Sequence, residues 1–121
     1  MDIPEYVTQA EVQRVCREAG LSDWSVAQST VSETDTARIL AIVNAQGMDI
    51  PLEVFHQGLE VELEHGTRFP DANVTNNHPI LTGRIVLAHL KETMDYYLRI
   101  DVAEIEGDLL KAALAGDDAK L

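Results

Sequence analysis

Two short motifs in the chain place a carboxylate and an imidazole three residues apart, so that both groups lie on one face of a helix. The first is Glu62-Leu-Glu-His65 and the second is His89-Leu-Lys-Glu92. Paired Glu-x-x-His units that point inward hold two metal ions in ferritin-like helical bundles. Two histidines and two carboxylates suit iron, manganese or zinc. The motifs therefore predict a metal site with Glu62, His65, His89 and Glu92 as ligands.

Two further residues are expected near these ligands rather than on the metal itself. Tyr96 shares a helical arc with His89 and Glu92, and its hydroxyl could donate a hydrogen bond to a ligand. Glu64 belongs to the first motif, although helical periodicity points it away from Glu62.

The motifs also have a simpler interpretation, in which each Glu–His pair is a local contact between two half-buried polar groups. Distance limits the metal interpretation. In a simple antiparallel hairpin, His89 lies about ten residues into its helix, which offsets it from His65 by roughly 15 Å at ~1.5 Å per residue. A shared ion would then need a loop that climbs along the helix, or a second subunit. The metal prediction therefore implies a homodimer or a higher oligomer.

Hydrophobic periodicity and capping signals predict an all-α fold, a compact bundle of four to five helices. The central helical hairpin is predicted over residues 51–65 and 79–99, with Pro51 in a first turn and Gly66 as a stop. Thr8-Gln-Ala-Glu11 predicts the start of a first helix over residues 9–19. Residues 24–47 are open between a helix and a short hairpin, and capping residues favour the helix.

The apolar face of the second central helix changes direction near residue 100. This change predicts either a kink or a long helix that exchanges one packing partner for another. Asp101-Val-Ala-Glu104 resembles a cap for a last helix. The length favours one domain over residues 1–121, with a frayed tail at 117–121.

The charge balance narrows the classes of partner. The chain has 21 acidic and 9 basic residues and a net charge of -12. Such a surface repels nucleic acid and anionic membranes, and it favours a basic protein partner. The absence of a signal peptide, of a long apolar run and of paired cysteines predicts a cytoplasmic protein with Cys16 as a buried small hydrophobe.

Three segments between residues 55 and 98 resemble a small bacterial and phage family of unknown function. They read GLEVELEHG from Gly58, NVTN with Pro79, and GRIVLAHLKE from Gly83 followed by Asp95-Tyr-Tyr97. The family carries similar strings, VELEHG, NVTND-P, TGKIALAHLNE and PDYYTRL. This chain departs from them at Asn77-His78 and at Thr93-Met94. The resemblance implies no activity, but it draws attention to Glu62, Glu64, His65, Asn73, Thr75, His89, Glu92, Asp95 and Tyr96.

The sequence supports two functions of different classes. The first is a metal-binding helical protein that uses the two Glu–His motifs. The second is a non-catalytic acidic module that binds a basic protein partner or helps to assemble a larger complex. No phosphate-binding loop, dinucleotide fingerprint or nucleophile motif is present, so the sequence leaves open whether the protein is an enzyme.

Overall fold

A computed structural model describes residues 1–116, and the predicted tail at 117–121 lies outside these residues. The α-helices are α1 (Gln9–Ala19), α2 (Glu33–Val43), α3 (Leu52–Glu62), α4 (Pro79–Glu92) and α5 (Tyr96–Ala115). Short 3-10 turns follow at Leu63–His65 and Pro70–Ala72. Residues 1–116 contain no β-strand, which confirms the all-α prediction. No helix among them is long and apolar enough to cross a membrane.

The core lies where α2, α3 and α4 pack on one another, with α1 against α4. It is mostly aliphatic, as expected for a chain with 5% aromatic residues. Full burial of each such side chain stabilises the fold by roughly 1.5–3 kcal/mol. The buried apolar residues are Val12, Cys16, Trp24, Val31, Ile39, Ile50, Phe55, Leu59, Leu63, Val86, Leu90 and Tyr97.

Side-chain caps mark the starts of the first two helices. The Thr8 hydroxyl accepts a hydrogen bond from the Glu11 amide at 3.1 Å, and Gly20 ends α1 in the left-handed region with φ 68°. The Ser32 hydroxyl accepts from the Asp35 amide at 3.1 Å and starts α2. The preference for a helix within residues 24–47 is therefore confirmed over residues 33–43.

The second central helix is shorter than predicted. Instead of one helix over 79–99, α4 ends at Glu92 and α5 begins at Tyr96. Thr93 adopts an extended conformation, and its hydroxyl donates to the Asp95 carboxylate. This local hydrogen bond competes with the helical backbone pattern and explains the break. The chain therefore breaks at 93–95, whereas α5 runs without interruption through residue 100, where the kink was predicted, and the cap predicted at 101–104 lies inside α5.

The loop between α3 and α4 folds back onto the end of α3. The His65 carbonyl accepts hydrogen bonds from the Val74 and Thr75 amides at 2.7 and 3.2 Å. Helix α4 is then capped by His78. The His78 Nδ1 accepts from the amides of Ile80 and Leu81 at 3.2 and 3.3 Å.

Candidate functional site

Three of the four predicted metal ligands meet, or nearly meet, at one buried carboxylate. Glu62, in the last turn of α3, is only 3% exposed. Its Oε1 lies 3.2 Å from His65 Nε2, and its Oε2 lies 3.6 Å from His89 Nε2. The Tyr97 hydroxyl donates a hydrogen bond to Oε2 at 3.1 Å. These four residues, Glu62, His65, His89 and Tyr97, form the carboxylate centre.

A close helix approach brings the centre together within one chain. A methyl group at Gly58 would lie 2.5 Å from Val86 Cγ1, so α3 and α4 meet closely at this pair. His65 Nε2 and His89 Nε2 lie 3.2 and 3.6 Å from the two carboxylate oxygens of Glu62. The 15 Å offset of a simple antiparallel hairpin therefore does not arise. A second subunit is not needed to bring His65 and His89 to one carboxylate, and the predicted oligomer stays a prediction.

The other predicted residues lie around the centre or away from it. Glu92 and Glu64 are exposed, and neither has a hydrogen bond or ion pair with the centre among residues 1–116. The Tyr96 ring stacks on His89, with centroids 3.9 Å apart and planes 5° apart. Tyr96 thus orients the imidazole through ring stacking instead of through the predicted hydrogen bond.

The simpler interpretation of the motifs fits one of them. Glu62 and His65 form the local contact that it predicts, one turn apart on the same chain segment. His89 instead reaches Glu62 on another helix, and no hydrogen bond or ion pair joins it to Glu92 in the described part of the chain. The centre is therefore a contact between helices rather than two separate local pairs.

Burial and charge keep the Tyr97 phenol in its neutral form. Burial raises the pKa of Tyr97 well above its usual range, and the Glu62 charge and hydrogen bond raise it further. Burial and the charges of Glu62, Glu92 and Glu64 also raise the pKa of Tyr96. Tyr97 consequently remains an O–H donor to the buried carboxylate, which would be costly to bury without a partner.

The described residues do not form a complete metal site. No group of three or more His, Cys, Asp or Glu side chains within residues 1–116 is arranged to hold a metal ion. Glu62 already accepts from Tyr97, and the fourth predicted ligand, Glu92, is on the surface. Binding of iron, manganese or zinc stays a prediction, while the visible chemistry of the centre is that of a satisfied buried carboxylate.

Tyr97 is the residue of the centre that the sequence argument missed. Its periodicity places it on the apolar arc with Val86 and Leu90, and its ring is indeed buried. A buried tyrosine hydroxyl nevertheless needs a polar partner. Glu62, which the simpler interpretation of the motifs makes half buried, is the acceptor that this rule suggests.

A second candidate feature is the length of α5 beyond its first turns. Tyr97 is the one buried residue of this helix. Leu98, Val102, Ile105 and Leu109 are exposed and recur at spacings of four, three and four, which puts them on one face. We call these four residues the α5 seam. Its spacing is that of the contact face in a two-helix coiled coil.

Comparison with known proteins gives a family but no function. A family model described as "Protein of unknown function (DUF5661)" matches residues 12–106, well over half of the chain. No curated protein and no solved structure matches. The predicted membership of a family of unknown function is confirmed at that level, and the specific strings stay a prediction. The matched range contains the whole carboxylate centre and most of the α5 seam.

Proposed function

The chain belongs to the DUF5661 family of proteins of unknown function, and we propose that it is a non-catalytic protein-interaction module that binds a helix of another protein along the α5 seam. The observation that carries this proposal is the exposure of the seam. Ile105 is 60% exposed and Leu109 is 65% exposed, although both are large apolar side chains.

The arrangement of these residues is what distinguishes the seam from ordinary surface. Single exposed apolar side chains are common on soluble proteins and need no explanation. Four on one helical face, repeated with a coiled-coil spacing, form a continuous strip that water solvates poorly. The core of the described chain is complete without them, because α2, α3 and α4 enclose it.

The carboxylate centre supports this proposal by fixing the start of α5. The Tyr97 hydroxyl is bound to Glu62, and the neighbouring Tyr96 ring is stacked on His89. One turn later, the Gln57 amide donates to Asp101 Oδ2 at 2.7 Å. Contacts from both α3 and α4 therefore orient the helix that carries the seam.

A designed peptide tests whether the seam binds a helix. The probe is an amphipathic 28-residue helix with leucine at its seam positions and glutamine at the flanking positions, labelled for fluorescence anisotropy. We expect the full chain to bind it, and the double variant Val102→Ser/Ile105→Ser to bind it at least about tenfold more weakly. Leu114→Ser is the control, because roughly 100° per residue places Leu114 on another face.

The outcomes of this test are separable from folding. All substituted residues are exposed, so circular dichroism should show the same helicity in every variant. The absence of binding by the wild-type chain, or equal binding by the double variant, would overturn the proposal. If the Leu114→Ser control loses peptide binding to the same extent, the peptide adheres to apolar surface in general, and the proposal is also overturned.

A second candidate function is metal binding, which the convergence of His65 and His89 on Glu62 favours. We expect a metal-binding protein to purify with stoichiometric iron, manganese or zinc, and to lose it in both His65→Ala and His89→Ala at unchanged helicity. Elemental analysis measures this directly. Substoichiometric metal in the wild-type chain after growth with all three metals would reject this candidate.

A further inference from the structure

We infer that the partner of the α5 seam is a basic amphipathic helix of a different protein and not a second copy of this chain. This inference rests on the proposed function and adds the chemistry of the partner. It comes from the charged residues that border the seam, which the apolar pattern alone does not describe.

The borders of the seam are acidic on both sides. With Ile105 as the reference and roughly 100° per residue, Asp101 and Asp108 lie along one border and Glu106 lies along the other. Glu106 and Asp108 are exposed, and neither takes part in an ion pair among residues 1–116. Carboxylates thus lie at the positions from which coiled coils select their partners by charge.

The two basic residues of α5 do not neutralise these borders. The Arg99 Nε lies 2.8 Å from Asp95 Oδ1, so its charge is already paired at the start of the helix. Lys111 lies more than about 100° from the centre of the seam, on the side away from Glu106. A partner helix therefore meets a negative rim, and lysine or arginine at its flanking positions would complement that rim.

The same layout disfavours pairing between two copies of α5. In a parallel pair, the border position of Asp101 faces that of Glu106 in the other copy. In an antiparallel pair with the seam residues in register, Asp101 faces Asp108 of the other copy on both sides, while Glu106 faces Arg99, whose charge is already paired with Asp95. Both orientations bring like charges together, and the net charge of -12 adds a general repulsion between copies.

A series of peptides that differ only in flank charge tests the inference. Three probes share one leucine seam and carry lysine, glutamine or glutamate at the flanking positions. We expect the full chain to bind the lysine probe at least about tenfold more tightly than the glutamate probe at low salt. The ratio should shrink as salt rises, because these charges are exposed and screened.

A charge variant links the preference to the seam borders. Asp108→Asn/Glu106→Gln should reduce the ratio between the lysine and glutamate probes and leave binding of the glutamine probe unchanged. The matched control is Glu33→Gln/Glu53→Gln, which removes two exposed carboxylates from other helices and should leave the ratio unchanged.

The results separate this inference from the proposed function. If all three probes bind equally and Val102→Ser/Ile105→Ser still loses binding, the inference of a basic partner is overturned, but the proposal that the seam binds a helix stands. Failure of every probe would overturn both. Light scattering supplies the remaining outcome, because a wild-type dimer that Ile105→Ser converts to a monomer would show that a second copy occupies the seam.

Discussion

Tyr97, in the first turn of α5, is 1% exposed, whereas Ile105, about two turns further along the same helix, is 60% exposed. The first residue is held by a hydrogen bond to Glu62 and by the close packing of three helices at Gly58. Ile105 lies outside this packing. One continuous helix therefore contains an anchored region, residues 96–101, and an exposed region, residues 102–115.

The difference shows that helix formation and core packing are separate contributions in this protein. Most helices in globular proteins gain their stability from burying an apolar face. The exposed region of α5 buries none of its large side chains, so intrinsic propensity and extension from the anchored region must maintain it. A substitution that adds a side-chain group should consequently destabilise the packed anchored region and stabilise the helix in the exposed region.

The same substitution at two glycines gives the largest expected contrast. A methyl group at Gly58 would lie 2.5 Å from Val86 Cγ1 and 2.7 Å from Tyr97 Cε2, whereas one at Gly107 would meet nothing within 4 Å. We expect Gly58→Ala to lower the free energy of unfolding by about 3 kcal/mol through overpacking. Gly107→Ala should raise helix stability by up to about 1 kcal/mol through propensity. Urea unfolding measures the effect of Gly58→Ala, and helicity measures the effect of Gly107→Ala. If both substitutions change stability in the same direction, the division of α5 into an anchored and an exposed region is contradicted.

Removing one hydroxyl tests the anchored region without changing its shape. Tyr97→Phe leaves the buried Glu62 Oε2 without its O–H donor, and we expect a loss of about 2 kcal/mol in the free energy of unfolding. Tyr6→Phe removes the same group from a residue that is 83% exposed and should change stability by less than about 0.5 kcal/mol. A negligible effect of Tyr97→Phe would mean that the hydrogen bond does not hold α5.

An acid titration gives a smaller effect at a site outside both regions. Hydrogen bonds from Arg14 and His78 lower the pKa of Glu11 from the ordinary value of 4.5 to about 2. A lowered folded-state pKa contributes stability that is present above pH 4.5 and is lost as the pH falls toward 2. We expect Glu11→Gln to weaken the dependence of the urea midpoint on pH in this window. Glu5→Gln, on the exposed N-terminal segment, should leave that dependence unchanged.

Much of the fold could be predicted from local signals. Thr8, Gly20 and Ser32 mark helix ends because each satisfies backbone groups within a few residues of itself. The break at Thr93–Asp95 was not predictable from periodicity, because the apolar spacing continues across it. A side-chain hydrogen bond between neighbouring residues ends the helix there, and periodicity does not register such bonds.

The candidate site was predicted in its residues more than in its geometry. The motifs predict Glu62, His65 and His89 because each motif places a carboxylate and an imidazole three residues apart on one helical face. Their convergence depends on the close approach at Gly58, a tertiary contact that spacing along the chain does not encode. His56 and Glu60 show the same limit. They lie one turn apart on α3, and spacing alone would make them a local pair, yet His56 Nε2 lies 2.6 Å from the Val31 carbonyl and Glu60 accepts from the Val31 amide at 2.9 Å.

The cap at the start of α4 also selects a tautomer. Because His78 Nδ1 accepts from two backbone amides, its ring carries the proton on Nε2, which lies 3.2 Å from Glu11 Oε2. The His78 ring thus links α1 to the first turn of α4, because its Nε2–H binds Glu11 while its Nδ1 accepts from the α4 amides. A nitrogen resonance typical of the Nε2–H form would identify this tautomer.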